Sequence, residues 1–180
     1  MERSTRIVWP DPYSPSGAAL HVHNELLIAA APAAVWAWLV RAALWPAWYP
    51  NSHDVRFEER AGPDLALGMR FRWRTFGVAI RSQVLELVPP ERIAWDALRP
   101  GLRAYHAWLI ESEPGGCRVV TEETQRGLLP RLGGPFLPRR MRHFHQLWLE
   151  RLRWRAEGGL PPARTDPAAP RRHGALATPP

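Results

Sequence analysis

The sequence contains no lysine: all 24 basic side chains are arginine, set against 17 carboxylates for a net charge of +7. The arginines are spread over the whole chain with no basic block. The charge therefore reads as the composition of a GC-rich genome, and no nucleic-acid partner is expected. There is a single cysteine, Cys117. It excludes an intrachain disulfide and any paired-cysteine zinc site. No base-bearing neighbour makes it a nucleophile. A glycine-rich phosphate loop is also missing, and Ser82 has no nucleophile-elbow context. No apolar run reaches the length of a membrane span, and no basic segment followed by an apolar run opens the chain. The expectation is a cytoplasmic, soluble protein with no stable membrane insertion, a monomer or a homodimer.

Tryptophan, in contrast, is abundant, with ten residues in 180. So many large aromatics imply wide apolar walls around a core or a pocket. At this length one domain is expected. Residues 1–19, with Pro10, Pro12, Pro15 and Gly17, read as an extended arm that Trp9 and Tyr13 would dock. Residues 20–157 read as the folded domain. Residues 158–180 are rich in proline, alanine and arginine and read as a disordered tail.

Within the domain, Leu20 to Ile28 alternates as a strand. Pro32 opens a helix to about Arg41, and Trp45-Pro46-Ala47-Trp48-Tyr49-Pro50 allows a second, short helix or turn. Strands are predicted over 54–60, 68–76, 78–88, 92–98, 103–112 and 117–126, separated by proline and glycine turns. Met69, Phe71, Trp73 and Thr75 alternate with Arg70, Arg72 and Arg74, which marks a sheet with one dry and one wet face. Residues 127–137 are predicted to cross one end of the sheet. The longest helix is predicted from Pro138 to Glu157, roughly 28 Å at 1.5 Å per residue. Met141, Phe144, Trp148 and Leu152 form its apolar stripe, with His145 on or beside it. Gly158 and Gly159 stop it.

This order resembles the helix-grip fold of the START-like, or SRPBCC, superfamily, and within it the polyketide cyclase/dehydrase and lipid-transport group. The carrying stretches are Ala31-Pro32-Ala33-Ala34-Val35-Trp36-Ala37-Trp38-Leu39, Trp45 to Pro50, Val84 to Trp95 and Gly115-Gly116-Cys117-Arg118-Val119-Val120-Thr121. The resemblance implies an α+β fold: a curved antiparallel sheet of six to seven strands wrapped around a long C-terminal helix, with two short helices after strand one. It also implies an apolar cavity between sheet and helix, holding a hydrophobic, aromatic polyketide-like or lipid-like molecule. The alternative is a cyclase or dehydratase acting in the same cavity without a cofactor.

Candidate site residues follow from the hairpin and the helix. A turn centred on Gly115 sets His106 opposite Glu123, Trp108 opposite Thr121 and Ile110 opposite Val119, all on the dry face. A slip of one residue substitutes Glu122 for Glu123, and the sequence leaves both registers open. A carboxylate beside an imidazole in an apolar pocket suits acid–base work or anchoring of a ligand's polar end. His106, Glu123 and His145 are the candidate catalytic residues. Phe71, Trp73, Trp95, Trp108, Thr121, Met141, Phe144 and Trp148 are the candidate ligand walls, and plain core packing is the competing reading for each. His21 and His23 alternate onto one strand face without a third ligand nearby, so no metal is expected there.

Overall fold

The computed structural model describes residues 7–58, 62, 64–134 and 136–162. Strand β1 (Leu20–Ile28) is followed by helices α1 (Pro32–Leu39) and α2 (Trp45–Trp48), then β2 (His53–Phe57), β3 (Arg70–Thr75) and β4 (Val78–Val88). After these come β5 (Arg92–Arg99), β6 (Leu102–Glu113), β7 (Gly116–Arg126), α3 (Leu128–Leu132) and α4 (Phe136–Glu157). All seven strands join one antiparallel sheet in the order β1-β7-β6-β5-β4-β3-β2. The sheet curves around α4, which lies against β1 and α1. The expected α+β helix-grip architecture is the architecture present.

The β6–β7 hairpin turns through Pro114 and Gly115, so His106 pairs with Glu123, Trp108 with Thr121 and Ile110 with Val119. Gly115 carries a φ of +83°, the left-handed region that glycine tolerates. Gly116 is demanded by space instead: a Cβ there would lie 2.0 Å from the Ile28 carbonyl oxygen. That close approach lets β7 run beside the end of β1.

The dry face is filled by interlocked aromatics. Trp45, from the proline-bounded α2, is fully buried and meets Phe71, Trp73, Trp95 and Trp148 at centroid distances of 5.2–6.0 Å. Its indole N–H donates to the Leu39 carbonyl at 2.9 Å. Tyr49 stacks on Trp148 at 4.2 Å with planes 14° apart.

The outer face is wet on β3, where Arg70, Arg72 and Arg74 are exposed. It is dry on β5 and β6, because the arm covers Ala94, Tyr105 and Ala107. Tyr13 stacks on Tyr105 at 5.1 Å, and Arg126 donates to the carbonyls of Ser14, Ser16 and Gly17. The same face settles the hairpin register. Glu122 points outward and accepts from His21 at 2.6 Å and His23 at 3.1 Å, while Glu123 points inward.

Several boundaries differ from the sequence reading, two of them toward the C-terminal end. Helix α4 begins at Phe136, two residues before Pro138, because proline is accepted anywhere in the first turn. The first residues of the expected disordered tail are held: Trp38 donates to the Gly159 carbonyl at 2.7 Å, and Arg41 donates to that of Pro162. Residues 163–180 of that tail lie outside the described residues.

Candidate functional site

Between the sheet and α4 the apolar packing leaves a cavity of about 250 Å³. This is just under the roughly 300–1,000 Å³ usual for small-molecule sites. Trp73, Ile80, Trp95, Ala97 and Ala104 form its sheet wall, and Leu137, Met141 and Trp148 its helix wall. Leu129, Pro130 and Gly133 of the α3 segment border it at one end. This segment, expected to cross one end of the sheet, makes one helical turn, anchored where the Leu129 N–H donates to the Gly101 carbonyl at 3.0 Å. A Cβ on Gly127 would sit 2.4 Å from the Gly101 carbonyl oxygen, so only glycine permits that turn to settle against the β5–β6 loop.

His106, Glu123 and His145 meet in this otherwise apolar space. Strand alternation turns His106 and Glu123 inward, and the helical step from Met141 brings His145 above them. The two imidazoles stack with centroids 4.6 Å apart and planes 5° apart. One Glu123 carboxylate oxygen lies 3.2 Å from His145 Nε2 and 3.6 Å from His106 Nδ1. Its other oxygen accepts from Gln125 Nε2 at 2.6 Å, and His106 Nε2 is bonded to the Thr121 hydroxyl at 2.7 Å. All three residues are under a tenth exposed. Burial, and secondarily the neighbouring His145, hold the His106 pKa well below the usual histidine value, so the ring is neutral at physiological pH. Burial likewise raises the Tyr49 phenol, which stays protonated.

These three side chains have the composition and spacing of a metal-ligand set. Their orientation does not suit one. The in-plane lone pairs of two stacked, parallel rings do not converge on one point. A shared ion would require one ring to turn and leave its hydrogen bond. The arrangement is suited to holding or relaying a proton.

Several polar atoms around the cavity have no partner among the described residues. They include His145 Nδ1 and the indole N–H groups of Trp95 and Trp148, all buried. Each unmade hydrogen bond in such a place costs about 1–3 kcal/mol. An oxygen-bearing guest could recover part of this.

Of the expected walls, Trp73, Trp95, Met141 and Trp148 border the cavity. Phe71, Trp108, Thr121 and Phe144 do not. Phe71 is wedged into the tryptophan cluster, and Trp108 lies behind His106 at 5.2 Å. Thr121 is the hydroxyl behind the same ring, and Phe144 turns aside onto Phe76 at 5.1 Å. For Phe71, Trp108 and Thr121 the reason is depth: they share the dry face, but they sit where the sheet and helix have already closed. Tyr49 and Gln125 were not anticipated. Gln125 was within reach of the sequence, since it lies two residues after Glu123 and must face the same way.

A sequence profile described as polyketide cyclase/dehydrase and lipid transport matches residues 19–157. Among solved structures, the hypothetical protein jhp0584 from Helicobacter pylori is 28% identical with a TM-score of 0.77, covering 84% of this chain and 96% of that one. A START superfamily protein from Mycobacterium smegmatis is 14% identical with a TM-score of 0.64, covering 77% of this chain and 97% of that one. The di-domain ARO/CYC StfQ from the steffimycin biosynthetic pathway is 20% identical with a TM-score of 0.64; 77% of this chain is covered, which spans 51% of StfQ. The last two share the fold, and nothing finer is read from them. No curated protein matches the sequence.

Proposed function

From the premise that this chain belongs to the polyketide cyclase/dehydrase and lipid transport family, we propose that the cavity holds a hydrophobic, oxygen-bearing small molecule. Its flat or aliphatic body lies between Trp73, Trp95, Met141 and Trp148, and its oxygen is seated by the His106–Glu123–His145 group. The observation that carries this reading is the polar group itself, buried at the inner wall of an apolar cavity. Structural packing alone would leave His145 Nδ1 and the indole N–H groups of Trp95 and Trp148 without partners, at the cost given above. Binding then needs no metal or cofactor, and the reading places the protein in the cytoplasm.

The test compares 1-tetralone with tetralin, which share a bicyclic skeleton but differ in one carbonyl. Quenching of tryptophan fluorescence should report tetralone binding at least tenfold tighter, about 1.4 kcal/mol, the scale of satisfying one buried donor. Equal affinities would refute a polar anchor in the cavity.

A second reading is an aldol cyclase or dehydratase, favoured by one contact. If His145 donates from Nε2 to the Glu123 carboxylate, its Nδ1 carries a lone pair and no protein partner, the tautomer of a general base. That base would take the proton beside a ketone. The hydroxyl one carbon further would leave as water on accepting a proton. The probe is 3-hydroxy-1-tetralone, which loses water to give 1-naphthol. The reading requires turnover that is lost in His145→Ala while 1-tetralone binding survives. Absence of turnover in the wild type would leave binding as the function.

A further inference from the structure

The cavity is bordered at its α3 end by a rim that leaves large apolar side chains in water. Leu128, Leu132 and Phe136 are 62%, 72% and 75% exposed. Leu128 and Leu132 lie four residues apart on one face of α3, and Phe136 opens α4 beside them. Single exposed leucines are ordinary, but three within nine residues at the border of a cavity form a patch.

The stretches of sequence that form this rim carry charge of one sign. From Thr124 to Leu149 the sequence holds no aspartate or glutamate, and it includes Arg131, Arg139, Arg140 and Arg142, all exposed. The β5–β6 turn against which α3 is anchored adds Arg99 and Arg103, again without a carboxylate between Ala97 and Ile110. At the β3–β4 turn, Phe76 lines the cavity and Arg140 lies over its ring at 5.5 Å. An apolar crest flanked by exposed arginines, in stretches of sequence that hold no carboxylate, complements a surface that is uniformly negative and soft enough to admit leucine and phenylalanine. A folded protein partner, with charges of both signs, is a poorer match.

We propose that this rim docks on the surface of an anionic lipid bilayer. Leu128, Leu132 and Phe136 would enter the boundary between headgroups and acyl chains, while the arginines meet lipid phosphates. The body of the protein stays outside, since no helix among the described residues is long and apolar enough to cross a membrane. Docking this way sets the α3 border of the cavity against the lipid. The inference does not depend on what the cavity holds.

The full chain would be sedimented with phosphatidylcholine vesicles, with and without phosphatidylglycerol, at low and high salt. It should bind the anionic vesicles and be released by salt. Arg131→Gln and Arg139→Gln should each weaken binding about fivefold, and the Leu132→Asp/Phe136→Asp double variant at least tenfold. Melting temperatures should stay at the wild-type value, because these side chains are exposed. Binding that ignores phosphatidylglycerol, or that survives the double variant, would overturn the proposal. So would a wild-type chain that ignores vesicles but is retained on poly-glutamate, or that dimerises through a contact the double variant abolishes; these would make the rim a protein surface.

Discussion

The neutral state of His106 makes a specific demand on stability against pH. In the unfolded chain this histidine takes up a proton as pH falls through about 6.5. In the folded chain, burial and then the adjacent His145 keep the ring neutral well below that point. The unfolded state therefore binds more protons, and stability falls as pH falls. For one such site the linkage integral from pH 7.5 to 5.5 is about 1.4 kcal/mol, provided the folded ring stays neutral throughout. With a urea slope of about 1–3 kcal/mol/M, the unfolding midpoint should drop by roughly half a molar or more from this site alone. His106→Gln removes the titration while keeping a side-chain partner for Thr121. The variant will be less stable at neutral pH, but its midpoint should move less between pH 7.5 and 5.5 by that amount. The comparison cancels histidines remote from His106, such as the exposed His21 and His23. Parallel wild-type and variant curves would show that His106 is protonated in the fold. The account of a neutral His106 ring would then be wrong.

Other consequences concern the frame. Trp108→Ala should cost about 3–5 kcal/mol in chemical denaturation, the price of emptying a core aromatic site, and should change 1-tetralone affinity much less, because Trp108 lies behind the cavity wall. Gly116→Ala should destabilise by more than about 3 kcal/mol, beyond the ordinary range, since its Cβ meets the Ile28 backbone at 2.0 Å. Arg126→Ala should speed limited proteolysis between residues 7 and 19, because this guanidinium ties three arm carbonyls to β7; an unchanged cleavage rate would mean the aromatic stack on Tyr105 holds the arm unaided.

What was legible in the sequence was whatever has a short period or a fixed turn. Alternation gave β3 its dry and wet faces, and the run Glu113-Pro114-Gly115-Gly116 located the hairpin turn, while the register that sets His106 opposite Glu123 was decided only in the fold. The three- and four-residue steps from Met141 to Leu152 marked the buried side of α4. Depth along a face has no such signal. Trp95 and Trp108 occupy equivalent alternation positions on neighbouring strands, yet one borders the cavity and the other fills the closed end of the core. Long-range filling was equally hidden. Trp45 and Tyr49 reach the centre through the short helix α2, whose first turn holds Pro46 and which Pro50 follows. The arm turned part of the expected wet face dry, which a rule of alternation in a two-sided sheet does not foresee. Glycine and proline concealed α3, whose single turn depends on the contact between Gly127 and Gly101.

The central claim is that the space between sheet and α4 is a ligand site. It is tested most directly by native mass spectrometry of the chain incubated with 1-tetralone, beside Ala104→Phe, which builds a ring into the cavity from a fully buried wall position. The account predicts one tetralone per wild-type chain, lost on denaturation, and none on a folded Ala104→Phe chain. A wild-type chain that stays bare in excess ligand, or a variant that binds equally well, would contradict it.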